Sequence, residues 1–195
     1  MPIIYSKKPL RKRAKHDSYP TPIELCSAGI AHVELDMETP RILDPGAGSG
    51  VWGAVARRRW PRSYIIGIEL RNVVRPPDYD LFQVTDFYKW CSETHDQFDL
   101  IMGNPPYKFA EDFVALSMEC LKPGGVLLFL LRLAFLEGQK RGKEFWPEYK
   151  PHKILVCSNR PSFTGNNRTD ATAYSLYYWR KCYQGKTYLD WLLWR

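Results

Sequence analysis

No apolar run approaches the ~18–20 residues that a membrane-spanning helix needs, so the chain is expected to have no membrane span. The charges near the N-terminus are followed by no apolar stretch, and no secretory signal is expected. Five cysteines (Cys26, Cys91, Cys120, Cys157 and Cys182) are scattered, odd in number and without a Cys-x-x-Cys pair. That pattern predicts neither a disulfide framework nor a structural zinc site, but reduced, buried thiols in a cytoplasmic protein. No internal repeat is evident.

What is present is enough apolar material for a real core: 45% of 195 residues are hydrophobic. Such a length fits one domain. The net charge of +7, with a pI near 9.1, favours an anionic partner such as nucleic acid. Much of that charge lies in residues 1–18, where Lys7, Lys8, Arg11, Lys12, Arg13 and Lys15 surround Pro9 without apolar periodicity. These residues read as a flexible arm, either lying along a phosphate backbone or simply solubilising the chain. Residues 19–182 read as the domain proper. Residues 183–195 form an aromatic tail expected to pack on the domain or on a second copy.

Strand and helix patterns alternate through the domain. Tyr19-Pro20-Thr21-Pro22 precedes a helix from Ile23 to Val33, with Thr21 expected as N-cap and Glu24 completing a capping box. Short apolar strands are expected at residues 41–43, 64–68, 81–85, 98–102 and 126–131, and helices at residues 51–60 and 109–121. Two further strands are expected at residues 154–157 and 173–179, flanking a polar, basic loop over residues 159–170. The fold class predicted is α/β: a Rossmann-like, doubly wound, mostly parallel sheet of about seven strands with a late antiparallel hairpin.

The chemistry gathers at the strand ends. The first strand runs into Asp44-Pro45-Gly46-Ala47-Gly48-Ser49-Gly50, a glycine-rich loop opening a helix, where backbone can approach a ligand. The second ends in Glu69, about twenty residues on and suited to ribose hydroxyls. The third ends in Asp86, able to accept from an adenine amine. The fourth stops at Asn104-Pro105-Pro106-Tyr107, where the prolines force a rigid, extended turn and hold a polar amide at the sheet edge. Taken singly, each has a bland reading: a solvated strand end, or an Asn-Pro turn capping the next helix. Gly48-Ser49-Gly50-Val51-Trp52-Gly53 also matches the dinucleotide-binding pattern, making a nicotinamide-dependent oxidoreductase a competitor. Asp44-Pro45 ahead of the glycines argues against it, as does the lack of any use for Asn-Pro-Pro-Tyr in hydride transfer.

On these residues the chain resembles the class I S-adenosylmethionine-dependent methyltransferases, specifically those acting on adenine N6 in DNA, phage-encoded ones included. The similarity runs over roughly residues 19–131: the Thr-Pro segment, the cofactor loop and the Asn-Pro-Pro-Tyr tetrapeptide stand in that family's order. It implies S-adenosylmethionine as cofactor and no metal. Tyr19, Thr21, Pro22, Asp44, Gly46, Ala47 and Gly48 would serve the methionine side, Glu69 the ribose, Asp86 and Phe87 the adenine, with Asn104 between cofactor and substrate. Asn104, Pro105, Pro106 and Tyr107 would form the catalytic site. The Asn104 oxygen and Pro105 carbonyl would accept the two N6–H bonds, stabilising the charge that develops on nitrogen. Tyr107 would stack on a flipped base.

No large target-recognition domain is expected within these 195 residues. Recognition is expected to fall to loops, through Lys108, Arg132, Arg160 and Arg168, with Phe163 as a wedge or, alternatively, part of a small satellite core. The partner implied is nucleic acid, DNA ahead of RNA, with the protein a monomer or homodimer in a bacterial or phage-infected cytoplasm. Alternatives carrying the same tetrapeptide are methylation of RNA adenine N6 or guanine N2, or of protein glutamine. A catalytically silent nucleic-acid-binding module is a further one.

Overall fold

Residues on the two sides of the central strands go to different cores, and this alternation sets the architecture. The computed structural model describes residues 20–163 and 171–195. Eight strands form one sheet: β1 (Arg41–Asp44), β2 (Tyr64–Glu69), β3 (Leu81–Val84), β4 (Phe98–Gly103), β5 (Leu121–Arg132), β6 (Lys153–Cys157), β7 (Tyr174–Arg180) and β8 (Tyr188–Leu192). Their order is β3-β2-β1-β4-β5-β7-β6-β8. β3, β2, β1, β4 and β5 pair in parallel, β7 runs antiparallel to both β5 and β6, and β8 pairs in parallel with β6.

Helices α1 (Ile23–Ala31) and α2 (Val51–Arg59) share one core with Ile42, Leu100 and Leu128. Helices α3 (Phe87–Glu93) and α4 (Ala110–Cys120) share the other with their strand neighbours Leu43, Ile101 and Leu127. Each side is thus covered by a pair of helices, the doubly wound plan. At the centre, Val126 to Leu131 of β5 are buried throughout, as a strand covered on both faces must be. The chain winds outward from β1 to β3 and then returns to β4 beside β1. The loops after β1 and β4 therefore diverge, opening a crevice at the carboxyl ends of the strands.

Several expectations change. The sheet has eight strands rather than about seven, because Tyr188–Leu192 of the tail adds β8 beside β6. Helix α1 starts at Ile23 behind Pro22 with no side-chain cap; the Thr21 hydroxyl instead accepts from the Trp52 indole at 3.3 Å. Helix α3 was not expected, since Phe87-Tyr88-Lys89-Trp90 carries aromatic residues of middling helix propensity. Its signal was Asp86, whose carboxylate caps it. Lys122-Pro123-Gly124-Gly125 does not separate helix from strand, and β5 begins at once at Leu121. The segment between β5 and β6 carries packed aromatic side chains. Phe135, Phe145 and Tyr149 are buried within it, and Arg141 ties it to α4 through Glu111 at 3.1 Å.

The connection from β2 to β3 turns one side chain inward with large effect. Tyr79 is 1% exposed and lies between α2 and β2. A Cβ on Gly53 would fall 2.5 Å from its ring, and one on Gly67 2.7 Å from both Tyr79 and Phe82. Pro76 lies equally close over Gly50, 2.5 Å from where a Cβ would stand. The glycines that imitate a dinucleotide loop are thus accounted for in part by packing within the chain. Gly53→Ala is expected to lower stability by about 1–3 kcal/mol through overpacking. The check is the urea midpoint, and an unchanged value would mean that the ring is free to move away.

Candidate active site

The loop from Asp44 to Gly50 is held from below and left open above. Ala47 N donates to Ile68 O at 3.1 Å, tying the loop to β2, and Gly50 N donates to Ala47 O at 2.8 Å, closing its turn. Gly48 and Gly50 sit at φ +55° and +86°, conformations that L side chains adopt with strain. Gly46 differs: no heavy atom lies within 4 Å of where its Cβ would be, and the residue lines the crevice.

Asp44 does not line that crevice. It is fully buried beneath the loop, accepting from the Tyr79 hydroxyl at 2.7 Å and from Gly46 N at 3.4 Å, with Gly103 pressed against it. Burial pushes its carboxyl up to about 7 against the opposing pull of the Tyr79 and Gly46 hydrogen bonds. Expected among the cofactor contacts, Asp44 stands in this structure as a brace joining β1, β4 and the loop.

Around the opening lie Thr21, Gly46, Ala47, Gly48, Glu69, Asp86, Phe87 and Asn104, together enclosing a cleft of about 650 Å³. Its size suits a nucleoside-sized ligand. Glu69 is 6% exposed and accepts from Gly48 N, from Arg71 N and from the Arg71 guanidinium. Burial alone would raise its carboxyl, but the Arg71 and Gly48 hydrogen bonds outweigh it and hold the group below its ordinary range. Asp86 caps α3 through Oδ1, which accepts from Tyr88 N at 2.9 Å and Lys89 N at 3.3 Å. Phe87 is buried and packs on Phe113 with ring centres 4.9 Å apart.

Asn104 and Pro106 reach the cleft, whereas Pro105 is buried and Pro22 serves as the N-cap position of α1. Tyr107 begins a short 3-10 turn, Tyr107–Phe109. Its ring is tilted against Tyr174 at 5.6 Å, with the Arg132 guanidinium 5.2 Å above it. Burial pushes its phenol up, partly offset by the neighbouring Asn104 amide. Lys108, Arg132 and Arg160 are exposed. Phe163 is not an exposed wedge: it is 7% exposed and meets Tyr174 edge-on at 5.1 Å within the α1–α2 core. Tyr19 and Arg168 lie outside the described residues, as does the basic arm.

Two residues of the site escape a reading by motif. Arg71 follows the strand-end acid directly in the loop, and a cation at that spacing is the only signal it gives. Tyr79 is marked by the otherwise redundant glycines at 53 and 67.

No family model matches the chain. Over 76 residues, 37% of this chain and 20% of the relative, it is 37% identical to the Type II methyltransferase M.CvrRI of Paramecium bursaria Chlorella virus XZ-6E. Its structure matches, with TM-score 0.67 and 15% identity, a Listeria monocytogenes protein assigned to the class I S-adenosylmethionine-dependent methyltransferases. That match covers 88% of this chain and 65% of the other. The M protein of the Type I restriction enzyme EcoKI is also similar, at TM-score 0.62 and 14% identity, over 86% of this chain and 45% of that one. The chain has the fold of the class I S-adenosylmethionine-dependent methyltransferases. The chain spans a fifth of the length of the curated relative and less than two thirds of either structure.

The residues present fit the cofactor of that class. Open space at Gly46 leaves room for a ligand against the backbone, Glu69 supplies a buried acceptor, and Leu70, Val73, Val74 and Phe87 give apolar surface for a purine.

Asp44 makes the site sensitive to pH. Because the native state binds this proton more tightly than the unfolded chain, the stability it contributes is complete below about pH 4 and lost as pH rises through about 7. The shift from 3.8 to about 7 corresponds to roughly 4 kcal/mol. Asp44→Asn keeps an acceptor for Tyr79 and removes the charge. Its urea midpoint should rise relative to the wild type between pH 5 and pH 8; parallel pH profiles would contradict the assignment.

Proposed function

We propose that this protein transfers a methyl group from S-adenosylmethionine to an exocyclic amine of a nucleobase, namely adenine N6 in DNA. The observation that carries the reading is the convergence of the ends of β1, β2, β3 and β4 on one cleft, with Asn104 at its margin and Asn-Pro-Pro-Tyr leading away from it. The likeness to M.CvrRI, named a Type II methyltransferase, and to the EcoKI M protein of a Type I restriction enzyme supports DNA over RNA.

When bound, the cofactor supplies an electrophilic methyl on a sulfonium sulfur. The protein's task is the amine, a poor nucleophile because its lone pair is delocalised into the ring. The Asn104 oxygen and the Pro105 carbonyl each accept one N–H, turning the lone pair out of the ring. Both interactions strengthen as positive charge grows on nitrogen, so they favour the transition state over the bound base. The fixed turn of Pro105 and Pro106 holds these acceptors in one arrangement, avoiding reorganisation during the reaction. Tyr107, braced by Tyr174, offers its ring to a base taken out of the stack, and Arg132 above that ring joins the same recognition face. Lys108, Arg132 and Arg160 are exposed cations available for phosphates.

The test is transfer of tritiated methyl onto unmodified DNA, RNA and protein in parallel, followed by identification of the labelled residue. Label is expected on adenine N6 of DNA. Label on RNA or protein would replace the substrate, and no label on any, from a protein that binds the cofactor, would remove the enzyme reading. Asn104→Ala should lower turnover by at least ~10²-fold while cofactor affinity stays within a few-fold. Glu69→Ala should show the reverse emphasis, with weakened binding by calorimetry. DNA affinity should fall steeply with salt, and Lys108→Ala should reduce the slope by about one. A flat salt response would exclude phosphate contacts as the main source of affinity.

A further inference from the structure

Glu69 is engaged by four donors. Its Oε1 accepts from Arg71 N at 2.9 Å and Arg71 Nε at 3.0 Å, and its Oε2 from Gly48 N at 2.9 Å and Arg71 Nη2 at 3.2 Å. An ionised carboxylate offers about four lone-pair sites. These donors fill it, and any ligand hydroxyl that donates to Glu69 must take a position already held by protein.

The donors differ in how readily they yield. Gly48 N belongs to the loop that Ala47 fastens to β2, and Arg71 N lies just past the end of the same strand. Displacing either would move main chain. The guanidinium is different: the Arg71 side chain is 47% exposed, while that of Glu69 is 7% exposed. It can swing into water without opening the core. Its two nitrogens also divide between the two carboxylate oxygens, one on each, as the hydroxyls of a vicinal diol would.

We infer that Arg71 competes within the molecule for the diol position at Glu69, its guanidinium exchanging one donor for one hydroxyl as a ribonucleoside enters or leaves. The inference rests on the cofactor reading proposed above. The contact has a use of its own, because a buried carboxylate without a partner is costly. Arg71 keeps Glu69 ionised and correctly turned before a ligand arrives. The consequence is weaker binding and faster release than the same cleft would give without the cation.

The test is calorimetry at pH 8 on the wild-type protein, Arg71→Ala and Arg71→Gln. The probes are S-adenosylhomocysteine (the sulfide left after methyl transfer), adenosine and 2′,3′-dideoxyadenosine. Both variants should bind S-adenosylhomocysteine and adenosine about 3- to 10-fold more tightly, as expected for losing a partly exposed, charge-assisted competitor. The dideoxynucleoside, which lacks the diol, should show no such gain. Unchanged or weaker binding in folded variants overturns the inference, as does an equal gain with and without the diol. A wild-type protein that binds none of the three removes the cofactor reading instead. Arg71→Gln retains a side chain of related shape for the case in which Arg71→Ala does not fold.

Discussion

A buried carboxylate held by one phenol is the constraint from which the rest of the site follows. Asp44 lies where β1 and β4 part company, out of contact with water, and the Tyr79 hydroxyl is its closest partner at 2.7 Å. That bond fixes the start of the glycine loop from beneath. It also pins the β2–β3 connection, from which Tyr79 comes, to the switch point of the sheet. Two segments that line the cleft are thereby positioned by a group that does not itself face it. A protonated or shared proton at this position is the low-cost way to keep the acid buried.

On that base the site has a division of labour between backbone and side chains. Backbone presents itself at Gly46 and Gly48, where side chains would intrude on a ligand or strain the chain. Side chains supply acceptors at Glu69 and Asp86, each already committed: the first to Arg71 and Gly48, the second to the end of α3. Commitments of this kind pre-orient the acceptors before a ligand arrives. The proline pair does the same for Asn104 by removing backbone freedom. Farther out the wall is aromatic, Tyr107 leaning on Tyr174 and Tyr174 on Phe163. Phe163 is thus linked to the tetrapeptide through one intervening ring.

The residues at strand ends were legible because strand order and a chemical ending can both be read locally: an apolar run, then Asp, Glu or Asn. The fold class was legible for the same reason, since alternation of short apolar runs with helical spacing implies a doubly wound sheet. What could not be read depends on contacts between distant segments. Asp44 carries the same letter whether it faces a ligand or a tyrosine thirty-five positions away. Phe163 sits in a polar loop, and only the fold turns it inward. Helix α3 is too short to show a period, and Asp86, read only as a strand-end acceptor, also caps it. Strand β8 was recognised as apolar, but pairing with β6 is a matter of register that composition does not reveal.

The packing of Tyr79 has a consequence for how this region tolerates change. Gly53 and Gly67 face opposite parts of one ring, and Gly50 meets its edge as well as Pro76. These positions therefore do not vary independently: the cost of a methyl at any of them depends on whether the ring is there. In a background where Tyr79 is small, a side chain at 53 would enter vacated space and restore part of the lost contact. Two changes that are each harmful would then be milder together than their sum, a positive coupling of the kind expected for residues that share one cavity. Gly53 and Tyr79 thus behave as one unit of sequence, while Gly67 is also confined by Phe82 and Gly50 by Pro76 and its positive φ.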